Sequence, residues 1–223
     1  MKFWQLTTLG FFFLVSAPLQ AYTSVASARG SQQPRFSGSL VLHDIDYQSS
    51  NNDFAVDGDL LVFGYKTPVN PGFSFGLGLG LMLDGDLGTN QTIGDGSGFR
   101  FFVDGDFEVH RSNNNRFVGT FALVHDRFKF EQGADLEFTV TEIKFGGLMI
   151  HRMQNLALYG GLELVLYSDG SLENNNFSTD IERDDRLNVR LGSSFALAPT
   201  VDLRLDLFLI GEQTLLFGAD FQL

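Results

Sequence analysis

Apolar and polar residues alternate along most of the chain, in segments of about ten to twelve residues that are separated by runs rich in Gly, Asn, Asp and Ser. Successive side chains of a β-strand point to opposite faces, so this period of two predicts strands that are apolar on one face only. The clearest segment begins at Phe73. Its apolar positions are Phe73, Phe75, Leu77, Leu79, Leu81 and Leu83, and they alternate with Ser74, Gly76, Gly78, Gly80, Met82 and Asp84.

The same pattern predicts an all-β chain of about ten antiparallel strands, with eight as the alternative. The ten predicted strands are 36–47, 53–66, 73–86, 99–110, 116–130, 136–150, 156–168, 186–198, 201–212 and 213–223. The alternation slips by one residue near Val124 and near Glu142. We therefore predict a β-bulge in each of the two strands concerned.

Two architectures fit strands of this kind: a soluble β-sandwich and a β-barrel that crosses a lipid bilayer. A sandwich turns its apolar faces toward one shared core. A transmembrane barrel turns them toward lipid and lines its lumen with polar residues. In this chain the apolar faces consist mainly of Leu and Phe in strand after strand, and the strand lengths match the roughly 9 to 11 residues that cross a bilayer. The sequence therefore predicts an antiparallel transmembrane β-barrel with a polar lumen.

The connections between the predicted strands alternate in length, as expected for a barrel with both termini in the periplasm. The even-numbered connections are short turns, such as 67–72 and Pro199-Thr200. The odd-numbered ones include the two longest, 87–98 and 169–185. Short periplasmic turns and longer extracellular loops are typical of outer-membrane barrels. We therefore expect 87–98 and 169–185 to be extracellular loops.

The N-terminal segment predicts that the chain is exported. Lys2 is followed by an apolar run from Leu9 to Val15 and then by small residues, which is the pattern of a secretory signal peptide. We predict a signal peptide over residues 1–28, with cleavage after Ala28 or alternatively after Ala21. Residues 29–223 then form the barrel.

Composition excludes several kinds of chemistry. The chain has no cysteine, so disulfides, thiolate catalysis and Cys-ligated metals are excluded. Its formal net charge is -12, whereas binding to nucleic acid requires a basic face. We therefore expect no nucleic-acid partner.

The end of the chain resembles the C-terminal signal by which outer-membrane barrels are recognised by their assembly machinery. The residues that carry this resemblance are Leu215, Phe217, Ala219, Phe221 and Leu223. The family usually ends in Phe, whereas this chain ends in Leu. With its strand pattern and signal peptide, the whole chain resembles the small outer-membrane β-barrels of Gram-negative bacteria. The resemblance implies insertion into the outer membrane, contact with its lipid and lipopolysaccharide, and recognition by the barrel assembly machinery through these five residues.

Three Asp-Gly-Asp repeats are the most unusual feature of the sequence. They are Asp57-Gly58-Asp59, Asp84-Gly85-Asp86 and Asp104-Gly105-Asp106. The two aspartates of one repeat share a strand face, and we expect this face to be the lumen. Six converging carboxylates would suit Ca²⁺ or Mg²⁺, which prefer oxygen ligands. The favoured interpretation is that these aspartates stay hydrated or pair with luminal arginines such as Arg100, Arg190 and Arg204. On this interpretation no cofactor is expected, and Ca²⁺ or Mg²⁺ is the alternative.

One short string offers candidates for catalysis, His110-Arg111-Ser112-Asn113. His110 and Ser112 share a strand face, as a base and a nucleophile must. The string is similar to the His-x-Ser-Asn motif of outer-membrane lipid A deacylases, which implies an esterase. No acidic partner stands at that family's spacing, and the predicted topology places Ser112 in a periplasmic turn. We therefore predict that the chain is not an enzyme.

The lumen is expected to be filled rather than open. Gly76, Gly78 and Gly80 leave space on the luminal side of one strand for bulky neighbours such as Phe102 and Tyr65. Barrels of eight to ten strands are largely filled by their own side chains. The sequence therefore predicts a non-enzymatic outer-membrane barrel that acts in the envelope or through its extracellular loops. A narrow porin-like pore for small solutes and a lipid-modifying hydrolase are the two alternatives.

Overall fold

The computed structural model describes residues 33–49, 53–88, 92–131 and 135–223. The predicted signal peptide lies outside these residues. No helix in the part of the chain described is long and apolar enough to cross a membrane. The strands are β1 (Arg35–Ser49), β2 (Asp53–Asn70), β3 (Phe73–Gly88), β4 (Thr92–Ile93), β5 (Gly96–Arg111), β6 (Asn115–Phe130), β7 (Leu136–Met153), β8 (Leu156–Glu173), β9 (Ser178–Arg183), β10 (Leu187–Ala198), β11 (Val201–Leu209) and β12 (Glu212–Gln222).

Ten of these strands form one closed antiparallel barrel, which confirms the predicted fold class and strand number. The order around the barrel is β1, β2, β3, β5, β6, β7, β8, β10, β11 and β12, and β12 pairs with β1 to close it. The turns that contain Gly72, Asn113, Gln154 and Thr200 lie at the same end as Arg35 and Gln222. We call this the terminal end and the opposite one the distal end.

The short strand β9 completes the barrel above its last hairpin. Strands β11 and β12 turn at Ile210 and Gly211, both with positive φ, and β12 pairs with β1 only as far as Ile45. A two-residue turn with positive φ at both positions matches the twist of the strands that it joins. Beyond that turn, β9 pairs with the distal ends of both β8 and β1.

The prediction of two long loops is therefore wrong. Most of segment 169–185 belongs to β8 and β9, and parts of segment 87–98 belong to β3, β4 and β5. Gly and Asn suggested loops in both places, but pairing with neighbouring strands outweighed this local preference. The distal end is built mainly from strands that extend past the bilayer.

An apolar belt surrounds the outside of the barrel and identifies the part that lies in lipid. On β3 the outward side chains of Leu77, Leu79, Leu81 and Leu83 are between 46% and 59% exposed. Comparable outward Leu, Phe, Met and Val residues occur on β5, β7, β8 and β10. Such a surface is unfavourable in water and favourable in a bilayer. The chain therefore crosses the membrane with its strands.

Neither predicted bulge lies at its expected position. Strand β6 alternates regularly, and Val124 is simply a buried apolar residue facing the lumen. Near Glu142 the register shifts between Ile143 and Lys144, where the additional residue is Leu166 on β8. The apparent slips arose because the lumen contains apolar as well as polar residues, so polarity did not identify the inner face.

Candidate functional site

The distal half of the lumen is filled with apolar and aromatic side chains, which corrects the prediction of a polar lumen. Tyr47, Phe54, Phe128 and Phe138 form an aromatic cluster, in which the ring centroids of Tyr47 and Phe138 are 5.1 Å apart and those of Phe128 and Phe138 are 6.0 Å apart. All four side chains are buried. Aliphatic residues such as Val41, Leu60 and Leu216 continue this core toward the terminal end. This packing closes the distal half of the lumen.

A buried ionic network lies beneath the turn between β11 and β12. Arg183 contacts Glu142 at 3.4 Å and Glu212 at 2.9 Å, and Lys144 contacts the same two carboxylates at 3.1 and 3.3 Å. Asn188 donates a hydrogen bond to Glu212 at 3.2 Å. Arg183 also donates to the carbonyl oxygen of Gly211, at 3.2 Å. The network therefore links β7, β9, β10 and β12 across the barrel.

Further ion pairs lie elsewhere in the lumen, and a smaller buried apolar cluster around Ile150 and Tyr159 lies near the terminal end. Arg100 binds Asp126 through two hydrogen bonds, and Arg190 pairs with Asp206 at 2.7 Å. The bidentate contact of Arg100 with both oxygens of Asp126 fixes the orientation of these two side chains. A small cavity of about 10 Å³ is lined by residues that include Asp104, Thr120, Glu163 and Arg190. This volume is near the minimum for a single water molecule.

The Asp-Gly-Asp repeats do not converge on one luminal wall, so that expectation is wrong for two of the three. Asp104 and Asp106 do face the lumen, where Lys66 contacts both. The other four aspartates, Asp57, Asp59, Asp84 and Asp86, are exposed on the outer surface, while the glycines between them point inward.

Two physical effects explain this reversal. On β3 an additional residue at Leu83 shifts the register, since Asp59 pairs with Asp84 but Leu60 pairs with Met82. Above the apolar belt, moreover, the outer surface meets headgroups and water rather than lipid tails. Polar side chains are therefore favourable on the outside there, and polarity no longer marks the luminal face.

The outward aspartates form an acidic surface at the distal end, on three neighbouring strands. Asp57 lies directly opposite both Asp44 and Asp86, and Asp59 lies opposite Asp84. The remaining member of this surface is Asp46, which is also exposed. Like charges directly opposite each other in a sheet are destabilising.

This repulsion appears in the pKa values of the outward carboxyl groups. Partial burial and the carboxylate of Asp86 raise the pKa of Asp57 above its usual value. The pKa values of Asp44 and Asp59 are also raised, first by burial and then by the charge of Asp57. No group of three or more His, Asp or Glu residues in the described part of the chain is arranged to hold a metal ion. The alternative of a Ca²⁺ or Mg²⁺ site on the six aspartates stays untested, and four of the six lie on the outer surface.

The two candidate catalytic residues lie at the terminal end, as the predicted topology requires. His110 is exposed near the end of β5, and Ser112 lies in the turn that follows. The Ser112 hydroxyl donates a long hydrogen bond of 3.5 Å to the carbonyl oxygen of Asn115. Among the described residues, no hydrogen bond joins His110 to Ser112. Ser112 lies in a hairpin connection in which its backbone N–H also donates to the carbonyl oxygen of Asn115, and within the described residues its hydroxyl contacts no base.

Two smaller expectations have mixed outcomes. Phe102 packs against the luminal side of Gly78, as predicted, and leaves no space there for a larger residue. Tyr65 instead faces outward, where its ring lies 5.0 Å from that of Phe36.

The C-terminal residues Leu215, Phe217, Ala219 and Phe221 share the outer face of β12. Recognition of that face by the assembly machinery stays a prediction.

The ionic network beneath the last hairpin was missed by sequence reasoning. The composition of 169–185 predicts a loop that includes Arg183, and the apparent slip of the alternation near Glu142 does not identify its luminal direction. The sequence offers little signal here, since Arg183 is itself charged and it is the structure that shows residues 181 and 183 buried in alternation with exposed Asp180 and Glu182. The segment was too short for this alternation to outweigh its loop-like composition.

No family model and no curated protein matches the chain. Solved structures do resemble it. The outer membrane protease OmpT of Escherichia coli has a TM-score of 0.56 and 9% identity over 87% of this chain and 98% of that one. The translocator domain of the autotransporter NalP from Neisseria meningitidis has a TM-score of 0.49 and 9% identity, over 98% and 95%. The attachment invasion locus protein Ail of Yersinia pestis has 0.42 and 13%, over 86% and 100%.

The resemblance to OmpT shows a shared fold. The closed barrel and its apolar belt agree with that fold, and together they make the chain an integral protein of the outer membrane.

Proposed function

We propose that the chain is a non-conducting, non-enzymatic barrel that serves the outer membrane through its outer surface. The observation that carries this proposal is the filled lumen. An aromatic and aliphatic core and a buried ionic network occupy its distal half, and further ion pairs with a smaller apolar cluster lie toward the terminal end. A pore for small solutes needs a continuous water-filled path, and this packing offers no support for one.

The outer surface supports a role in the envelope more than a role through loops. The strands extend past the apolar belt, and the connections between them at the distal end are short. We infer that the barrel contacts lipopolysaccharide there, with Leu and Phe against its acyl chains. The distal acidic surface is then at the level of its phosphate groups. Divalent cations bind both carboxylates and phosphates through oxygen, and can therefore bridge the two.

Conductance across planar bilayers tests the filled lumen. We expect the folded parent protein to give no steady openings. The double substitution Phe128→Ala with Phe138→Ala removes two stacked luminal rings and should produce detectable openings. The matched control, Phe101→Ala with Phe145→Ala, removes two lipid-facing rings and should stay silent. Stable porin-like openings of the parent would support the pore instead.

A second experiment addresses the hydrolase alternative. Lipid A is extracted from cells that express the parent, from cells that express Ser112→Ala and from cells that lack the protein. We expect identical lipid A mass spectra in all three, because Ser112 contacts a backbone carbonyl rather than a base. Loss of an acyl chain only in cells with the parent protein would contradict the proposal and assign the activity to Ser112.

A further inference from the structure

A cluster of arginines lies at the terminal mouth of the lumen, although the chain as a whole is acidic. Arg111 lies directly opposite Arg116 in the pairing of β5 with β6. Arg152 lies two residues beyond Ile150, the partner of Arg116 in β7. Arg152 and Arg116 are therefore diagonal neighbours on one face of the sheet. The register therefore places the three arginines close together at this rim.

One carboxylate, that of Glu108, pairs with two of the three arginines. Arg111 donates to Oε2 of Glu108 at 2.7 Å, and Arg116 donates to the same oxygen at 2.6 Å. Burial acts to raise the pKa of Glu108, but these two arginines outweigh it and the pKa is lowered. Three positive groups and one negative group leave an excess of positive charge at the rim.

Arg152 does not share in this pairing. Its Nε and one terminal nitrogen are buried and donate no hydrogen bond to any residue that the structure describes. Burial, followed by the charges of Arg116 and Arg111, lowers its pKa to about 10. Buried guanidinium donors without an acceptor are costly, and arginine forks suit the oxygens of phosphate.

We propose that Arg152, together with Arg111 and Arg116, forms a phosphate-binding site at the terminal mouth of the barrel. The predicted topology directs this mouth to the periplasm, where phosphate is available from two sources. One is the headgroup of an anionic phospholipid in the inner leaflet, and the other is free phosphate. Either would supply the acceptor oxygens that Arg152 lacks, and would offset the excess charge that Glu108 leaves.

Binding is measured on the full mature protein, folded in uncharged maltoside micelles. One arm titrates inorganic phosphate by calorimetry. The other measures retention of phosphatidylglycerol by native mass spectrometry, with zwitterionic phosphatidylethanolamine as the reference lipid. We expect binding in at least one arm, and weaker binding as NaCl is increased, because salt screens charges near the surface. Phosphatidylglycerol alone identifies a lipid site, and phosphate alone identifies a site for the free ion. Absence of binding in both arms overturns the proposal.

Substitutions then locate the site. Arg152→Gln should weaken binding at least tenfold, and Arg152→Lys should restore part of it by restoring the charge. The matched control is Arg186→Gln, since Arg186 is an exposed arginine far from the terminal mouth. Arg111→Gln provides a second variant if Arg152→Gln does not fold, as judged by its mobility on unheated gels. Unchanged binding in a folded Arg152 or Arg111 variant overturns the proposal, as does an equal loss in Arg186→Gln.

Discussion

Arg183 and Glu212 form an ion pair of 2.9 Å in which neither side chain has any exposed surface. Arg183 comes from the short strand β9 and Glu212 from the first position of β12, so the pair joins two described strands whose backbones do not pair with each other. Removal of one member of a buried pair leaves the other charge without compensation. The pair is therefore a sensitive point of the fold.

We expect Arg183→Ala to lower the free energy of unfolding by about 3–5 kcal/mol, the cost typical of breaking a buried ion pair. Both Glu142 and Glu212 lose a partner in this variant. Urea titration of the barrel in lipid vesicles, followed by fluorescence of an attached dye, measures the change. Arg186→Ala is the matched control, because its pair with Glu182 is about half exposed and should contribute less than about 1 kcal/mol. Equal effects of the two substitutions would contradict the buried network.

The contact between Gly78 and Phe102 gives a second prediction. A methyl group on Gly78 would collide with the Phe102 ring. We expect Gly78→Ala to destabilise the barrel by about 1–3 kcal/mol, the usual cost of overpacking. Adding Phe102→Leu should recover part of the loss. Gly38→Ala is the control, since its added methyl group would lie 3.9 Å from Phe63, an ordinary contact. The prediction fails if both glycine substitutions are equally tolerated in the same urea titration.

The acidic surface makes stability depend on pH. The pKa values of Asp44, Asp57 and Asp59 are raised above the usual 3.8. An acid with a raised pKa in the folded state stabilises that state below its unfolded pKa, and this contribution is lost as pH rises through the folded pKa. Relative to Asp57→Asn, the melting temperature of the parent should therefore fall as pH rises above about 4. Asp135→Asn, an exposed site immediately before β7 on the opposite side of the barrel, should reproduce the parent profile.

Divalent cations should act on the same residues. If Ca²⁺ or Mg²⁺ associates with the acidic surface, it raises the melting temperature of the parent at neutral pH, because a ligand of the native state stabilises it by mass action. The double variant Asp57→Asn with Asp84→Asn should lose this shift. A chelator that leaves the parent unchanged, or a double variant that still responds to the metal, would show that these aspartates are merely hydrated.

The sequence predicted the barrel because its apolar face is repeated on nearly every strand and is required by lipid. Leu77 to Leu83 alternate cleanly, since each outward position in the belt meets the same solvent. The strand number and the terminal-end turns followed from the same regularity. The C-terminal residues of β12 share one outer face for this reason as well.

The interior could not be predicted in the same way. Val124 and Phe102 face the lumen beside Arg100 and Asp126, so neither polarity nor size separates the inner face from the outer one. Above the apolar belt, the outward face is no longer apolar, because the side chains of Asp57 and Asp84 are stable on the outer surface there. The pairing of Arg183 with Glu142 and Glu212 joins residues far apart in the chain, and alternation alone carries no information about such contacts.

One edge of β1 pairs with two different strands, and closure of the barrel in the membrane therefore requires both of them. From Arg35 to Ile45 its free edge is covered by the last strand of the chain, and from Tyr47 to Ser49 the same edge is covered by β9. Docking of the C-terminal strand therefore leaves the distal part of the seam unpaired until the hairpin of β8 and β9 reaches it. Because two different strands pair with this edge, the contact with β9 can be lost while the contact with β12 remains. Loss of the β9 contact would expose backbone donors of β1 above the bilayer, and the membrane-spanning wall would stay intact.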